Sequence, residues 1–108
     1  MKSLFRYLEG TKLTKEFLVQ QIRAQSYTVI GDKKITHCTI TVLNGFTFTG
    51  EAACVDINNY NKEIGEEIAF DNAFDKMWAC YGFALAQHLY EHPELLSNDI
   101  EELKESFI

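Results

Sequence analysis

The sequence predicts an α+β domain, with an antiparallel three-stranded sheet, an N-terminal helix and one long C-terminal helix. Ile35 to Leu43 reads ITHCTITVL, a β-branched, alternating run that ends at Asn44-Gly45, the strongest short hairpin signal. After Asn61, apolar residues recur every three to four positions until residue 91. With 108 residues, 46% of them hydrophobic, the chain suits a single domain, residues 1–108.

The charge balance argues against nucleic acid as a partner. Ten Lys and Arg stand against sixteen Asp and Glu, for a net charge of −6, whereas phosphate neutralisation needs a basic stripe. The start of the chain, MKSLFRYLEG, has no long apolar stretch typical of a signal peptide, and no run is long enough for a membrane helix. We therefore expect a cytoplasmic protein that binds neither DNA nor RNA nor a membrane.

The cysteines favour free thiols. Cys38, Cys54 and Cys80 are odd in number, widely spaced and without a CxxC pair. This pattern predicts neither a zinc site nor a disulfide framework, and small buried thiols suit a reducing compartment.

Two helices are predicted before the sheet. Lys2 to Leu8 forms a short helix that Gly10 closes, and Thr14 is the N-cap of the next. The second helix has an apolar stripe at helical spacing, made of Phe17, Leu18 and Ile22.

The hairpin turn sets a predicted register. Tyr27 to Ile30 is the first strand, a turn covers Gly31 to Lys34, and the third strand starts at Phe46. A two-residue loop would pair Leu43 with Phe46, Thr41 with Phe48, Ile40 with Thr49, and Cys38 with Glu51. Phe46 and Phe48 would then share the face with His37, Thr39 and Thr41. We expect that face to meet another subunit or a ligand, because one helix layer covers only one side.

The stretch TGEAACVDINNYN, residues 49–61, follows the third strand. Gly50, Ala52 and Ala53 keep the strand bare for close approach by a helix, a partner or a ligand. Local backbone bonding explains one or two of the polar side chains that follow, with Asn61 as the helix cap. The residues Asn58, Asn59 and Tyr60 are left over, and amides suit the edge of a nucleobase or a ribose hydroxyl.

The long helix is expected from about Lys62 to Glu91. Its apolar stripe consists of Phe70, Phe74 or Ala73, Met77, Tyr81, Leu85 and His88. Because it is apolar almost all round from Trp78 to Leu89, we interpret it as an oligomer contact. Pro93 stops the helix, and Ser97-Asn98-Asp99 caps a short acidic one.

The sequence carries no catalytic signature. The histidines lack HExxH or HxH spacing, and no GxSxG or phosphate-binding glycine loop occurs, so no metal or cofactor is expected. A Cys54–His37 pair across the hairpin is the remaining catalytic alternative, against a packed thiol and an exposed imidazole. The carboxylates between Glu63 and Asp75 follow helical spacing and are interpreted as a solvated face.

One family resemblance covers roughly residues 35 to 86. Asn44-Gly45-Phe46, the run Thr49 to Val55, the run Asn58 to Asn61, Gly65 and then Lys76 with Trp78 resemble the gene-49/gene-66 family of small phage and prophage proteins. That family reads NGF, TGESACVDPxNFxxExG, IAxxxAxxKxW and a Gly-aromatic-Leu-Leu segment. This chain departs from it at Ile57, where the family has Pro, and at Tyr81, where it has Glu before the glycine.

The resemblance extends to phage anti-Thoeris sponges, which are oligomers that bind cyclic ADP-ribose isomers without degrading them; some also bind the cyclic oligonucleotides of CBASS defence. It implies that Phe48 stacks on a base, although it is equally an ordinary core phenylalanine. Asn58 with Asn59 would read polar edges, and Tyr60 would wall the pocket. Lys76 and Arg23 would neutralise phosphates across a subunit boundary, and Glu51 would accept from a ribose or pair with Lys76. The ligand-binding set implied is Phe48, Asn58, Lys76, Arg23, Tyr60, Asn59 and Glu51, with Arg6 as a third cation.

The resemblance thus implies a homo-oligomeric, non-enzymatic phage protein that sequesters a cyclic nucleotide immune signal. The alternative is an acidic phage protein that binds and inhibits a host protein, and a nucleotide-cleaving enzyme is the weakest candidate.

Overall fold

The computed structural model describes residues 12–32 and 34–95. Its elements are helix α1 (Lys15–Gln20), strands β1 (Ile22–Ile30), β2 (Ile35–Val42) and β3 (Thr47–Ala53), and helix α2 (Lys62–Glu91). Short 3-10 helices at Ile57–Asn59 and Pro93–Leu95 flank α2. The antiparallel sheet has the order β1-β2-β3, so the α+β class and its main elements are confirmed. The predicted helix at residues 2–8, the C-terminal helix after Ser97 and the cation Arg6 lie outside the described residues.

A side-chain N-cap precedes both described α-helices. The Thr14 hydroxyl accepts a hydrogen bond from the Phe17 amide at 3.1 Å. The Asn61 amide oxygen accepts one from the Ile64 amide, also at 3.1 Å. Each cap satisfies a backbone donor that the first helical turn cannot, which confirms both predicted helix starts.

The first strand is longer than its composition predicts. It begins at Ile22, which the sequence pattern had placed on the stripe of the preceding helix. Irregular pairing between Ile22 and Ala24 marks a bulge near the start of β1. Pairing with β2 extends the strand back through residues 23–26, whose β-propensity is weak, to the β-branched Ile22, so the assignment of Ile22 to a helix was wrong.

The register of the hairpin differs from the predicted one by one residue. Thr41 pairs with Thr47, Ile40 with Phe48, and Cys38 with Gly50. The loop contains three residues, because the Phe46 carbonyl accepts from the Val42 amide at 3.0 Å. Only its last residue, Gly45, has a left-handed φ of 91°, and the Asn44 side chain accepts from the Phe46 amide at 2.9 Å.

This shift moves every side chain of β3 to the other face of the sheet. Phe48 lies on the side that α2 covers and is 7% exposed, so its predicted place opposite the helix was wrong. The uncovered face instead carries mostly short hydroxyl side chains and one His–Glu pair, with a few apolar residues at its ends. Its residues are Ala24, Ser26, Thr28, Ile30, Ile35, His37, Thr39, Thr41, Thr47, Thr49, Glu51 and Ala53.

The core lies between the sheet and α2. From β2 it takes Cys38, Ile40 and Val42, all at most 1% exposed; from α2 it takes Ala69, Ala73, Phe74, Met77, Tyr81 and Leu85, and from α1 it takes Phe17 and Leu18. The approach is closest at Gly50, where an added Cβ would lie 2.9 Å from the Ala73 Cα. The predicted bareness of β3 at Gly50 therefore serves helix packing.

Candidate functional site

Two small cavities open between β3 and α2, one at each end of the strand. The hairpin pocket, about 180 Å³, is apolar and is lined by Val42, Asn44, Phe46, Phe48, Cys80, Tyr81 and Ala84. The loop pocket, about 150 Å³, is more polar and is lined by Lys34, Thr36, Ala52, Ala53, Cys54, Asn59, Tyr60, Asn61, Ile64, Gly65 and Ile68.

Aromatic rings form the wall of the hairpin pocket. The Phe46 and Phe48 rings meet edge to face with centroids 5.2 Å apart, and Phe48 lies 6.3 Å from Tyr81. Phe46 is 59% exposed and therefore forms the rim. Burial, with a smaller effect from Cys80, raises the pKa of Tyr81, so its hydroxyl keeps its proton at neutral pH. This pocket has the size and surface for one planar apolar group.

The loop between β3 and α2 builds the second pocket. Asp56 accepts from the Asn58 amide at 3.0 Å and so caps the 3-10 helix that holds Asn58 and Asn59. Asn61, whose side chain caps α2, also lines the pocket, and Tyr60 is half-buried beside it. The main-chain amide of Cys54 donates to the Lys34 carbonyl, which ties the β1–β2 turn to the end of β3. Three separate segments thus converge on one cavity.

The residues predicted to bind a ligand do not come together within one protomer. Phe48 lines the hairpin pocket, whereas Asn59 and Tyr60 line the loop pocket and Asn58 lies exposed in the adjoining turn. Gly65 and Tyr81, which mark the two pockets on α2, are roughly 24 Å apart along the helix axis.

The two predicted cations within the described residues line neither pocket. Arg23 is exposed on β1, the edge strand farthest from β3. Lys76 is exposed on α2 between Asn72 and Cys80, which lie one turn away on either side. Asn72 donates to the Glu51 carbonyl at 2.8 Å, so this side of α2 runs along β3. Lys76 therefore lies between the two pockets.

The remaining predicted residue, Glu51, has a partner other than Lys76. Its carboxylate contacts the His37 ring across the strands, with Oε1 and Nδ1 3.3 Å apart. The pairing of Glu51 with Lys76 is not found among the residues that the structure describes. The Cys54 thiol donates to the Asp56 carbonyl, and in the described parts of the chain no Cys54–His37 hydrogen bond forms.

Sequence reasoning missed Lys34. It is the one charged residue that lines either cavity within residues 12–32 and 34–95. A lysine in a polar turn carries no sequence pattern that marks it as a binding residue. The hydrogen bond from the Cys54 amide to the Lys34 carbonyl is what brings it to the pocket. The cavity around Lys34 and Tyr60 is thus the only one of the two with both a charge and amide groups.

The match to a family model covers most of the fold just described. Residues 13–89 match the phage protein (N4 Gp49/phage Sf6 gene 66) family. The chain belongs to this family. The match includes both pockets and every described element except the last two residues of α2 and the final 3-10 helix. Searches of the curated proteins and of the solved structures return no match.

Two features, a membrane-spanning helix and a cluster of metal ligands, are not found among the described residues. Within them, no helix is long and apolar enough to cross a membrane. Nor does the described part of this family member contain a group of three or more His, Cys, Asp or Glu side chains that could hold a metal ion.

Proposed function

We propose that this phage protein binds a cyclic ADP-ribose isomer or a related cyclic nucleotide and sequesters it without cleaving it. The loop pocket carries the proposal. Three segments that match the phage family's sequence pattern line this one cavity: Ala52 to Cys54, Asn59 to Asn61, and Gly65. Amide groups, an aromatic ring and a nearby cation suit a nucleotide, which presents polar edges, a flat base and phosphates.

Neither cavity is large enough for the whole ligand. At about 180 and 150 Å³, both fall below the roughly 300 Å³ at which small-molecule sites begin. We therefore propose that the complete site forms between two copies. A two-fold axis across the middle of β3 would bring the hairpin pocket of one copy to the loop pocket of the other. Phe48 and Asn58 would then contact one ligand from different subunits.

Sequestration without turnover agrees with how the reactive side chains are used. His37 contacts Glu51 on the uncovered face of the sheet, and the Cys54 thiol donates to a backbone carbonyl. Among the residues that the structure describes, neither side chain is paired as a nucleophile with a base.

The direct test incubates the purified protein with cyclic ADP-ribose isomers and cyclic dinucleotides, removes free ligand and heats the complex. Mass spectrometry of the released fraction should recover the ligand intact. Recovery of a cleaved product would indicate an enzyme, and failure to retain any of the compounds would refute the proposal.

The shared site is tested by mixing two defective variants. Phe48→Leu removes the ring with little loss of core volume, and Asn58→Ala removes an exposed amide. Each variant alone should lose binding. After mixed refolding, half of the dimers are heterodimers with one intact site each, so about a quarter of the sites should recover. No recovery despite exchange of subunits would show that both residues act within one copy.

A second candidate function follows from the outer surface of α2. Glu63, Glu67, Asp71 and Asp75 are exposed at four-residue spacing, and none forms an ion pair within the described residues. This acidic stripe favours a basic surface on a host protein. Neutralising it with Glu→Gln and Asp→Asn changes should leave anti-defence activity in infected cells intact if the protein is a sponge. Loss of that activity with nucleotide binding retained would support the host-protein candidate instead.

A further inference from the structure

Lys34 occupies a position that no sequence pattern assigns to binding. Its backbone carbonyl accepts a hydrogen bond from the Cys54 amide, and the residue lines the loop pocket while remaining exposed to solvent. Within the described residues the ion pairs are His37–Glu51 and His92–Glu94, so the Lys34 ammonium is not neutralised there. We propose that the loop pocket is a phosphate site and that Lys34 is the cation that binds the phosphate.

The surroundings of Lys34 suit a phosphate better than those of the other cations. Arg23 and Lys76 are exposed and border neither cavity. The loop pocket lies against the start of the 30-residue helix α2, whose dipole places partial positive charge there. No acidic residue lines this cavity. A dianion in the pocket would thus meet an ammonium group and the positive end of the helix dipole, while Glu63 in the first turn of α2 lies outside the lining.

The rest of the lining defines the chemical class of the ligand. Asn59 and Tyr60 supply polar groups beside Lys34, whereas Ile64 and Ile68 supply an apolar wall. Ile64 and Ile68 are 54% and 47% exposed, so this wall lies at the mouth of the cavity. The site therefore suits a phosphorylated small molecule whose phosphate enters the pocket while its less polar part contacts the two isoleucines. This assignment depends on the proposed function only for the natural ligand.

The experiment uses inorganic pyrophosphate as its probe, followed by amide NMR on the full chain. In the wild type, shifts should concentrate on the backbone amides of residues 59–65. Lys34→Gln should weaken binding roughly 10- to 100-fold, since one charge-assisted contact is lost. Lys34→Arg should retain most of the affinity. Lys62→Gln is the matched control: Lys62 is also exposed and close to the pocket but does not line it, so binding should change less than about twofold.

The outcomes separate this inference from the proposed function. Equal pyrophosphate affinity of Lys34→Gln and the wild type would overturn the inference, as would shifts centred on Arg23 or Lys76, or no binding at millimolar probe. Lys34-dependent binding of pyrophosphate by a protein that retains no cyclic nucleotide would overturn the proposed function and leave the phosphate site in place. Lys34→Gln leaves the Cys54–Lys34 backbone bond unchanged, so thermal unfolding should match the wild type.

Discussion

Replacing Gly50 with alanine should separate α2 from the sheet. The added Cβ would lie 2.9 Å from the Ala73 Cα and even closer to the Ala73 nitrogen and the Ala69 carbonyl oxygen. All three are backbone atoms, so no side-chain rotation can relieve the contact. Ordinary contact requires at least about 3.4 Å, and relieving the closest of these contacts would require the helix to retreat by roughly 1 Å along this stretch.

The size of the loss in unfolding free energy depends on the side chains that α2 buries at this point. Ala69, Ala73 and Met77 are 0% exposed, and a gap of about 1 Å forfeits about half of each contact energy. Overpacking of a core typically costs about 1–3 kcal/mol, and the rigid backbone here places Gly50→Ala at or above the upper end. A loss of about 3 kcal/mol should lower the melting temperature by roughly 12–24 °C.

Thermal and urea unfolding followed by circular dichroism measures this loss. Gly82→Ala is the matched control, because Gly82 lies inside α2 and its added Cβ meets nothing within 4 Å. That change should stabilise the protein by about 0.5–1 kcal/mol through helix propensity. If Gly50→Ala were as stable as the wild type, the close approach of α2 to β3 would be refuted.

Substitutions at three other positions probe the helix cap, the core and the buried thiol. Asn61→Ala should cost about 1 kcal/mol in urea unfolding, because the Ile64 amide loses its acceptor. Met77→Ala should cost about 2–5 kcal/mol, whereas Met77→Leu should cost under about 1.5 kcal/mol. Burial raises the pKa of Cys38, so its contribution to stability should be complete at neutral pH and fall as pH rises above the ordinary thiol value. Cys38→Ala should lose this part of the alkaline dependence, and an unchanged pH profile would contradict the assignment.

Local signals predicted the elements of the fold well. Asn61 and the stripe through Met77 to Leu85 predicted α2 with its bounds, because capping and periodicity act within one segment. The register failed because Asn44-Gly45 is compatible with loops of two or three residues, and side-chain bonding from Asn44 favours the longer one. A difference of one residue in loop length decides which face of the sheet carries Phe48. The sequence of β3 contains no signal that distinguishes the two registers.

The site was only partly predictable for a related reason. Asn59 and Tyr60 were identified because local backbone bonding left them over, and both line a cavity. Lys34 was missed because its place depends on contact between two segments about 20 residues apart, Lys34 and Cys54. Pockets arise from such tertiary contacts, whereas composition and spacing report on one segment at a time.

The hydrogen bond from Asn72 to the Glu51 carbonyl affects how copies of this protein can associate. β3 is an edge strand, and the exposed carbonyls of an edge strand are ordinarily open to a strand from another molecule. The Asn72 side chain occupies one of these acceptors in the middle of the edge. This occupied acceptor disfavours pairing of β3 with a strand of another molecule. The proposed contact between two copies across β3 would therefore use side chains of β3 and α2 rather than a continuous intermolecular sheet.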